Sequence, residues 1–543
     1  MATAAETTPK TDFDAIVVGA GFSGMYMLYR LRDLGFSVRV FEAGDGVGGT
    51  WYWNRYPGAR CDSESYYYCY SFSKELLDEW EWSERYPAQP EVLQYLNHVA
   101  DRFHLRPDIQ LNTRVVSAVF DDASGRWKVT TDDGKRYTAT YFITAVGCLS
   151  TANLPHYEGL EEFQGTWYHT GQWRHEPVVF TGQRVGLIGT GASGIQATPE
   201  IAKQAAHLYV FQRTPNYATP SGNRPMRPEE IREIKAHYDE IWKKARESMG
   251  GFPFDSIEKS ALEVSPEERR RIYEERWQQG SFRFLNSFSD LLVNKEANDT
   301  IAQFVRDKIH EIVKDPKVAD LLSPTNHPYG TKRPPLNTGY YETFNRENVT
   351  LVDIRNAPIV RITPTGIQTT ENTYELDSIV FATGFDAMTG TLLKIDIRGR
   401  NELTLKEKWA DGPRTYLGLA IHGFPNMFTI TGPGSPSVLS NMPVSIEQHV
   451  DWIADCLAYL RAQGIARIEA TQHAEEIWVA HVNQVADQTL FPLANSWYIG
   501  ANIPGKPRVF MPYVGGVGNY RKICDAVAAK HYEGFEMAQA IAI

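Results

Sequence analysis

Asp14-Ala-Ile-Val-Val18 runs into Gly19-Ala-Gly21-Phe-Ser-Gly24, and the unit closes on Val38-Arg-Val-Phe41-Glu42. The apolar run feeds a G-x-G-x-x-G turn, after which Met27, Leu28 and Leu31 recur at helical spacing as far as Gly35. A second apolar run then ends on an acid 21 residues beyond Gly21. The glycine turn alone is a weak signal. With strand, helix, second strand and terminal carboxylate in register, it predicts a β-α-β dinucleotide site in which Glu42 accepts hydrogen bonds from ribose hydroxyls.

The pattern returns at Arg184-Val-Gly-Leu-Ile188, Gly189-Thr-Gly191-Ala-Ser193-Gly194, a helix through Ile201, and Leu208-Tyr-Val-Phe211. This second strand ends on Gln212-Arg213-Thr214, without an acid. A carboxylate there would repel a 2′-phosphate, whereas a guanidinium grips one through two hydrogen bonds. The first turn (Gly19, Gly21, Gly24, with Glu42) therefore reads as an FAD site. The second (Gly189, Gly191, Ser193, Gly194, with Arg213 and Thr214) reads as an NADPH site. A solvent-facing arginine is the plain alternative for Arg213.

At 543 residues the chain exceeds one ordinary core, so several domains are expected. A net charge of −11 with no Lys/Arg cluster argues against nucleic acid or an anionic membrane as partner. Five scattered cysteines without C-x-x-C argue against a disulfide framework or zinc site and fit a reducing cytoplasm. No metal-ligating constellation stands out, no apolar run is long enough to span a bilayer, and the first 12 residues read as a frayed tail.

From about Met226 to Lys317 the texture becomes charged amphipathic helix. Ser265-Pro266-Glu-Glu268 has a capping serine, proline at the first helical position and a glutamate three residues after the cap. Ile301, Phe304, Val305, Ile309, Ile312 and Val313 form one apolar stripe, stopped near Pro316. Val349 to Ile354 and Tyr374 to Phe381 read as strands, and Ser435 to Met442 as a loop before a helix from Ser445. The expected fold class is α/β, two Rossmann-like dinucleotide-binding domains with a helical insertion. Residues 1–150 form the first part of the FAD domain, 151–225 the first part of the NADPH domain and 226–330 the insertion. Residues 331–383 return to the NADPH domain, and 384–543 complete the FAD domain.

Three further strings carry a resemblance. Phe163-Gln-Gly165-Thr-Trp-Tyr-His169-Thr-Gly-Gln-Trp173 lies between the two turns; Gly48-Gly49-Thr50-Trp51-Tyr-Trp-Asn-Arg-Tyr56-Pro57-Gly58-Ala-Arg-Cys-Asp62 follows Glu42; Gly330-Thr-Lys332-Arg333 follows the insertion. In this order they resemble the class B flavoprotein Baeyer–Villiger monooxygenases, nearest the phenylacetone and steroid monooxygenase branch. Residue 174 departs, being Arg where the fingerprint continues with Pro or Asp.

The resemblance implies an FAD- and NADPH-dependent enzyme that uses O2 to convert ketones, aryl or bulky cyclic ones, to esters or lactones by way of a peroxyflavin, with sulfoxidation as a side activity. It implies Arg333 as the catalytic cation, oriented by Asp62, and Lys332 on the NADPH 2′-phosphate. Gly49, Thr50, Trp51, Asp62 and Tyr68 would lie against the flavin. Trp497 would sit in a stretch that contacts NADP, and Val438, Leu439 and Met442 would line the substrate pocket. His169 would belong to a linker that couples domain movement to turnover, in preference to serving as a base. Arginine suits the cation because it stays charged at any working pH. A monomer or weak homo-oligomer is expected.

An N- or S-oxygenating flavin monooxygenase would share both turns, but it usually has Phe or Tyr at position 173 and lacks the arginine. A disulfide reductase would need closely spaced cysteines, which Cys61 and Cys69 are not. A non-catalytic flavin-binding sensor is the third alternative.

Overall fold

A computed structural model describes residues 11–255 and 257–539. Strand Phe13–Val18 lies inside an eight-stranded sheet, parallel to Val38–Phe41 on one side and to Arg136–Thr144 on the other. Ala15, Ile16 and Val17 are fully buried, because both faces of this strand are covered. Two later strands, Asp396–Arg398 and Met427–Thr429, join the same sheet. Helix Phe22–Asp33 packs on helix Met442–Ala462, where the Tyr26 hydroxyl donates to Asp451 at 2.7 Å.

A second sheet holds five strands in the order Val349–Asp353, His207–Gln212, Arg184–Ile188, Ser378–Phe381, Thr166–His169, all parallel. The F-x-G-x-x-x-H-x-x-x-W string thus supplies its edge strand. The chain crosses between the two sheets after Thr144 and again after Phe381. Helices Pro228–Ala236, Tyr238–Glu247, Pro266–Gln279, Lys295–Ile312 and Pro316–Leu322 fill the span between Thr219–Pro220 and Leu336–Asn337. The Ser265 hydroxyl accepts the Glu268 N–H at 3.2 Å, as a serine cap should. Ile301, Phe304, Val305 and Ile309 bury one face of their helix, and Pro316 opens the next helix with Asp315 as its cap.

Three details differ from the sequence reading. Tyr374–Phe381 is two strands: Thr373–Glu375 belongs to a small antiparallel sheet and Ser378–Phe381 to the parallel one. Asp377 breaks the run by pairing with Arg184 through both side chain and backbone. The helix expected from Ser445 begins at Met442, because Pro443 fits the first turn, where its missing N–H has no partner to lose. Of the segment read as a frayed tail, residues 1–10 lie outside the described residues, while Asp12 is held by Thr138 through three hydrogen bonds. Among the described residues no helix is long and apolar enough to cross a membrane, and all five cysteines are buried and unpaired.

Candidate active site

The two glycine turns have the same construction. Gly19 (φ +103°) and Gly189 (φ +114°) occupy a backbone region closed to other residues, and a Cβ on either would meet the carbonyl oxygen of Ala145 at 2.5 Å or of Ala382 at 2.2 Å. Gly24 and Gly194 let the following helix lie against its own turn. Gly21 and Gly191 cap helices Phe22–Asp33 and Ala192–Ala202 without any side-chain cap. The first-turn N–H groups are therefore left for an external anion, as a pyrophosphate requires. Both turns open on one cavity of about 1120 Å3, also lined by Glu42, Trp51, Asp62, Lys332, Arg333 and Trp497. Pockets for one small ligand run to roughly 1,000 Å3, so this volume suits more than one.

At the first turn the Glu42 carboxylate accepts the N–H groups of Ala20 and Gly44, each at 2.8 Å. Burial pushes its pKa up, while those donors pull the other way. Its remaining lone pairs are free for sugar hydroxyls. Arg213, Lys332, Ser193 and Thr214 all line this cavity. Burial, then repulsion by Arg213, brings the Lys332 ammonium down to about 8. Arg213 is exposed at the rim of the cavity, as its solvent-facing alternative has it, and it and the partly buried Lys332 are two cations that could hold a phosphate dianion.

On the wall of the same cavity, Arg333 and Asp62 form a bidentate pair, Nε to Oδ2 at 2.5 Å and Nη2 to Oδ1 at 2.9 Å. Nη1 donates to the Val438 carbonyl at 2.7 Å. Burial alone would lower the Arg333 pKa, but Asp62 outweighs it and the shift is upward, so the cation is permanent. Three of five N–H donors are used, leaving two for a ligand. The stretch 51–62 also fastens the two nucleotide units together: the Tyr56 hydroxyl donates to Gln196 at 2.7 Å, Gln196 donates to the Arg60 carbonyl at 2.9 Å, and Trp173 N–H reaches the Trp53 carbonyl at 3.4 Å. The Trp51 indole donates to the Tyr68 hydroxyl at 3.1 Å, fixing two aromatic walls. Val438 and Met442 line the cavity, whereas Leu439 packs partly buried beside it with Met388, Tyr498 and Phe510. Trp497 is half-buried on the short turn Trp497–Ile499 and faces the cavity.

His169 is turned away from this cavity. Its Nδ1 accepts the Gly171 N–H at 3.0 Å, which leaves the proton on Nε2, within 3.1 Å of the Asn153 carbonyl and 3.2 Å of the Thr383 hydroxyl. Burial pushes its pKa down, so the ring is neutral. Asn153 and Thr383 lie on the two crossings between the sheets, so one imidazole ties both. Phe163 is buried with Phe211, Ile379 and Phe381, and a Cβ at Gly165 would meet the Asp377 carbonyl oxygen at 2.4 Å. Trp173 stacks on Tyr168 at 5.1 Å, and the Arg174 guanidinium lies 5.3 Å from the same ring, so arginine at this position has a packing role of its own. Sequence reasoning missed the Val438 carbonyl and Phe282, whose ring centroid lies 4.8 Å from the Arg333 guanidinium. Phe282 sits in the insertion, where an apolar residue reads as core.

A family model described as FMO-like, flavin-binding monooxygenase-like, matches residues 14–220. The chain is 45% identical over 529 residues to a Baeyer-Villiger monooxygenase of Pseudooceanicola batsensis, covering 97% of this chain and 96% of that protein. Among solved structures, an oxidised steroid monooxygenase bound to NADP matches with TM-score 0.94 and 55% identity over 97% of this chain and 100% of that one. An OTEMO complex with FAD and NADP matches with TM-score 0.95 and 43% identity over 97% and 100%.

Proposed function

This chain belongs to the Baeyer–Villiger monooxygenases, and from that premise we infer that the Gly19–Gly24 turn holds FAD, the Gly189–Gly194 turn holds NADPH, and Arg333 with Asp62 acts on an aryl or bulky cyclic ketone. Bound FAD, reduced by NADPH, would supply one oxygen atom of O2 for insertion beside the carbonyl, giving an ester or lactone, while the other oxygen leaves as water. The protein supplies position and field. The two Arg333 N–H groups that no protein atom accepts are left for the carbonyl oxygen on which negative charge develops. A fixed cation in a dry site stabilises that charge without reorganising. Asp62 holds the guanidinium plane and balances its charge. Lys332 and Arg213 take the 2′-phosphate, Gly49, Thr50, Trp51 and Tyr68 lie against the flavin, and Trp497 covers the nicotinamide cofactor. Val438 and Met442 offer an apolar wall, which suits a large hydrophobic ketone. The likeness to a steroid monooxygenase supports the same choice.

The domain division 1–150, 151–225, 226–330, 331–383 and 384–543 follows from this assignment and is supported by the two later strands that rejoin the first sheet. Five unpaired buried cysteines support a cytoplasmic enzyme. We take it as a monomer or weak homo-oligomer, which sedimentation at several concentrations checks.

The observation that carries this reading is the Arg333–Asp62 pair on the cavity that both nucleotide turns line. The test supplies purified yellow protein with NADPH and a panel of aryl, bulky cyclic and small ketones, and weighs the products. Arg333→Ala should keep its flavin and lose ester formation by about 100-fold or more, the usual cost of removing a donor to a developing oxyanion. Ester at the wild-type rate would rule out the assigned role. Sulfoxide or N-oxide as sole product from wild type would move the enzyme to the N- or S-oxygenating class.

A further inference from the structure

The helical insertion meets the Arg333–Asp62 segments through two neighbouring residues on the turn Ser281–Ser287. Phe282 lies with its ring 4.8 Å from the Arg333 guanidinium. Arg283 goes elsewhere: it pairs with Glu64, two residues beyond Asp62. The Glu64 side chain is only 3% exposed and accepts a second arginine, Arg85, through Nε at 3.1 Å and Nη2 at 2.6 Å. Burial would raise the Glu64 pKa, but Arg283 and Arg85 outweigh it and hold the carboxyl below its ordinary value.

The segments 62–64 and 282–283 are thus joined twice, once by Glu64–Arg283 and once through Arg333, which touches Asp62 at its edge and Phe282 near its face. The turn that presents Phe282 is itself constrained. Gly280 (φ +70°) and Ser281 (φ +68°) are consecutive left-handed residues, and Arg85 donates to the Gln279 carbonyl at 3.0 Å. A left-handed serine persists only where its surroundings hold it. A buried carboxylate between two guanidiniums is a poor source of stability, since apolar packing of equal volume commonly does as well. Its advantage is directional. An aromatic ring, in turn, holds a guanidinium without consuming any of its N–H donors.

We propose that the Glu64–Arg283 pair is a positioning device for the reaction: it fixes Phe282 against the Arg333 guanidinium and Asp62 at its edge, so that the two spare N–H groups keep one direction into the cavity. This rests on the assignment of Arg333 as the cation that acts on the ketone. Neither Glu64 nor Arg283 touches substrate or cofactor, and their effect passes through Arg333.

Glu64→Gln, Phe282→Leu and Phe282→Tyr in the flavin-loaded enzyme test it, with Arg333→Ala alongside. Three quantities are read: the rate at which NADPH bleaches the flavin, ester formed per NADPH consumed, and labelling of Arg333 by phenylglyoxal, located by peptide mass. Glu64→Gln and Phe282→Leu should bleach within about twofold of wild type yet form about tenfold less ester per NADPH, the scale of loss that a small misplacement produces. Arg333 should be labelled faster in both, and Phe282→Tyr should restore yield and protection. Wild-type ester yield and labelling in a folded Phe282→Leu enzyme would overturn the proposal, and that variant decides the matter if Glu64→Gln does not fold. Loss of ester in Arg333→Ala with none in Phe282→Leu refutes positioning alone. Undiminished ester in Arg333→Ala refutes the role of Arg333 on which positioning rests.

Discussion

Lys332 and Arg333 are adjacent in sequence and meet opposite fields. Arg333 faces a carboxylate that more than offsets its burial, whereas Lys332 faces another cation, Arg213, and is brought down to about 8. Without cofactor, Lys332 is charged below pH 8 and neutral above it. A bound 2′-phosphate dianion favours the ammonium, so binding above pH 8 must take up a proton. The dissociation constant for NADP+ should therefore hold level from pH 7 to 8, then rise by up to about tenfold per pH unit, with about one proton taken up per ligand. Calorimetry in two buffers of different ionisation enthalpy measures both. Lys332→Met should remove the slope and weaken binding at pH 7 by about tenfold to a hundredfold, the worth of one charged hydrogen bond. A dissociation constant flat from pH 7 to 9.5 in wild type would exclude Lys332 from the phosphate seat.

Helix Met442–Ala462 carries an acid that its burial disfavours. Glu447 is buried, accepts the Ser71 N–H at 2.6 Å and the Ser71 hydroxyl, and is pushed up to about 7 by burial against the pull of those bonds. Because its folded pKa lies above the ordinary carboxylate value, the fold holds this proton more tightly than the unfolded chain does. The stabilisation is complete below about pH 4.5 and is lost as pH rises through 7, amounting to at most about 3 kcal/mol. Wild type should lose melting temperature between about pH 4.5 and 7 relative to Glu447→Gln, and parallel profiles in a thermal scan would contradict this. The helix also illustrates what sequence conveys. The capping of Pro266–Gln279 by Ser265 and both glycine turns were legible, because their causes lie within a few residues. The start at Met442 was not, because the Asn441 amide donates to the Tyr67 carbonyl at 2.7 Å instead of capping its own helix. The break at Asp377 depends on Arg184, and Phe282 beneath Arg333 on a partner 51 positions away. Contacts of that separation leave no local pattern.

At the scale of the whole molecule, two crossings join the sheets and the functional groups gather around them. The fingerprint string marked this place in the sequence, but only the fold reveals that His169 holds Asn153 on one crossing and Thr383 on the other. The second crossing is also where the C-terminal segment docks. The Lys506 ammonium, with its side chain 10% exposed, pairs with Asp386 at 2.6 Å and donates to the Ala387 carbonyl at 2.7 Å, while the Asn502 amide donates to the Phe385 carbonyl at 2.7 Å. Nine residues before Lys506 stands Trp497 on the cavity wall. The latch on the crossing therefore bears on how often that wall is closed. Asp386→Asn trades an ion pair for a hydrogen bond from the same ammonium to an uncharged amide oxygen, at a cost of about 1 kcal/mol, so open states of the segment become about fivefold more populated. Flavin content should be unchanged, NADP+ should bind several-fold more weakly, and trypsin should cut after the exposed Arg508 several-fold faster, with NADP+ slowing the cut in both proteins. Equal cleavage rates and equal NADP+ affinity in the two proteins would show that the segment is held by its aromatic packing against Tyr498 and Phe510, not by the ion pair.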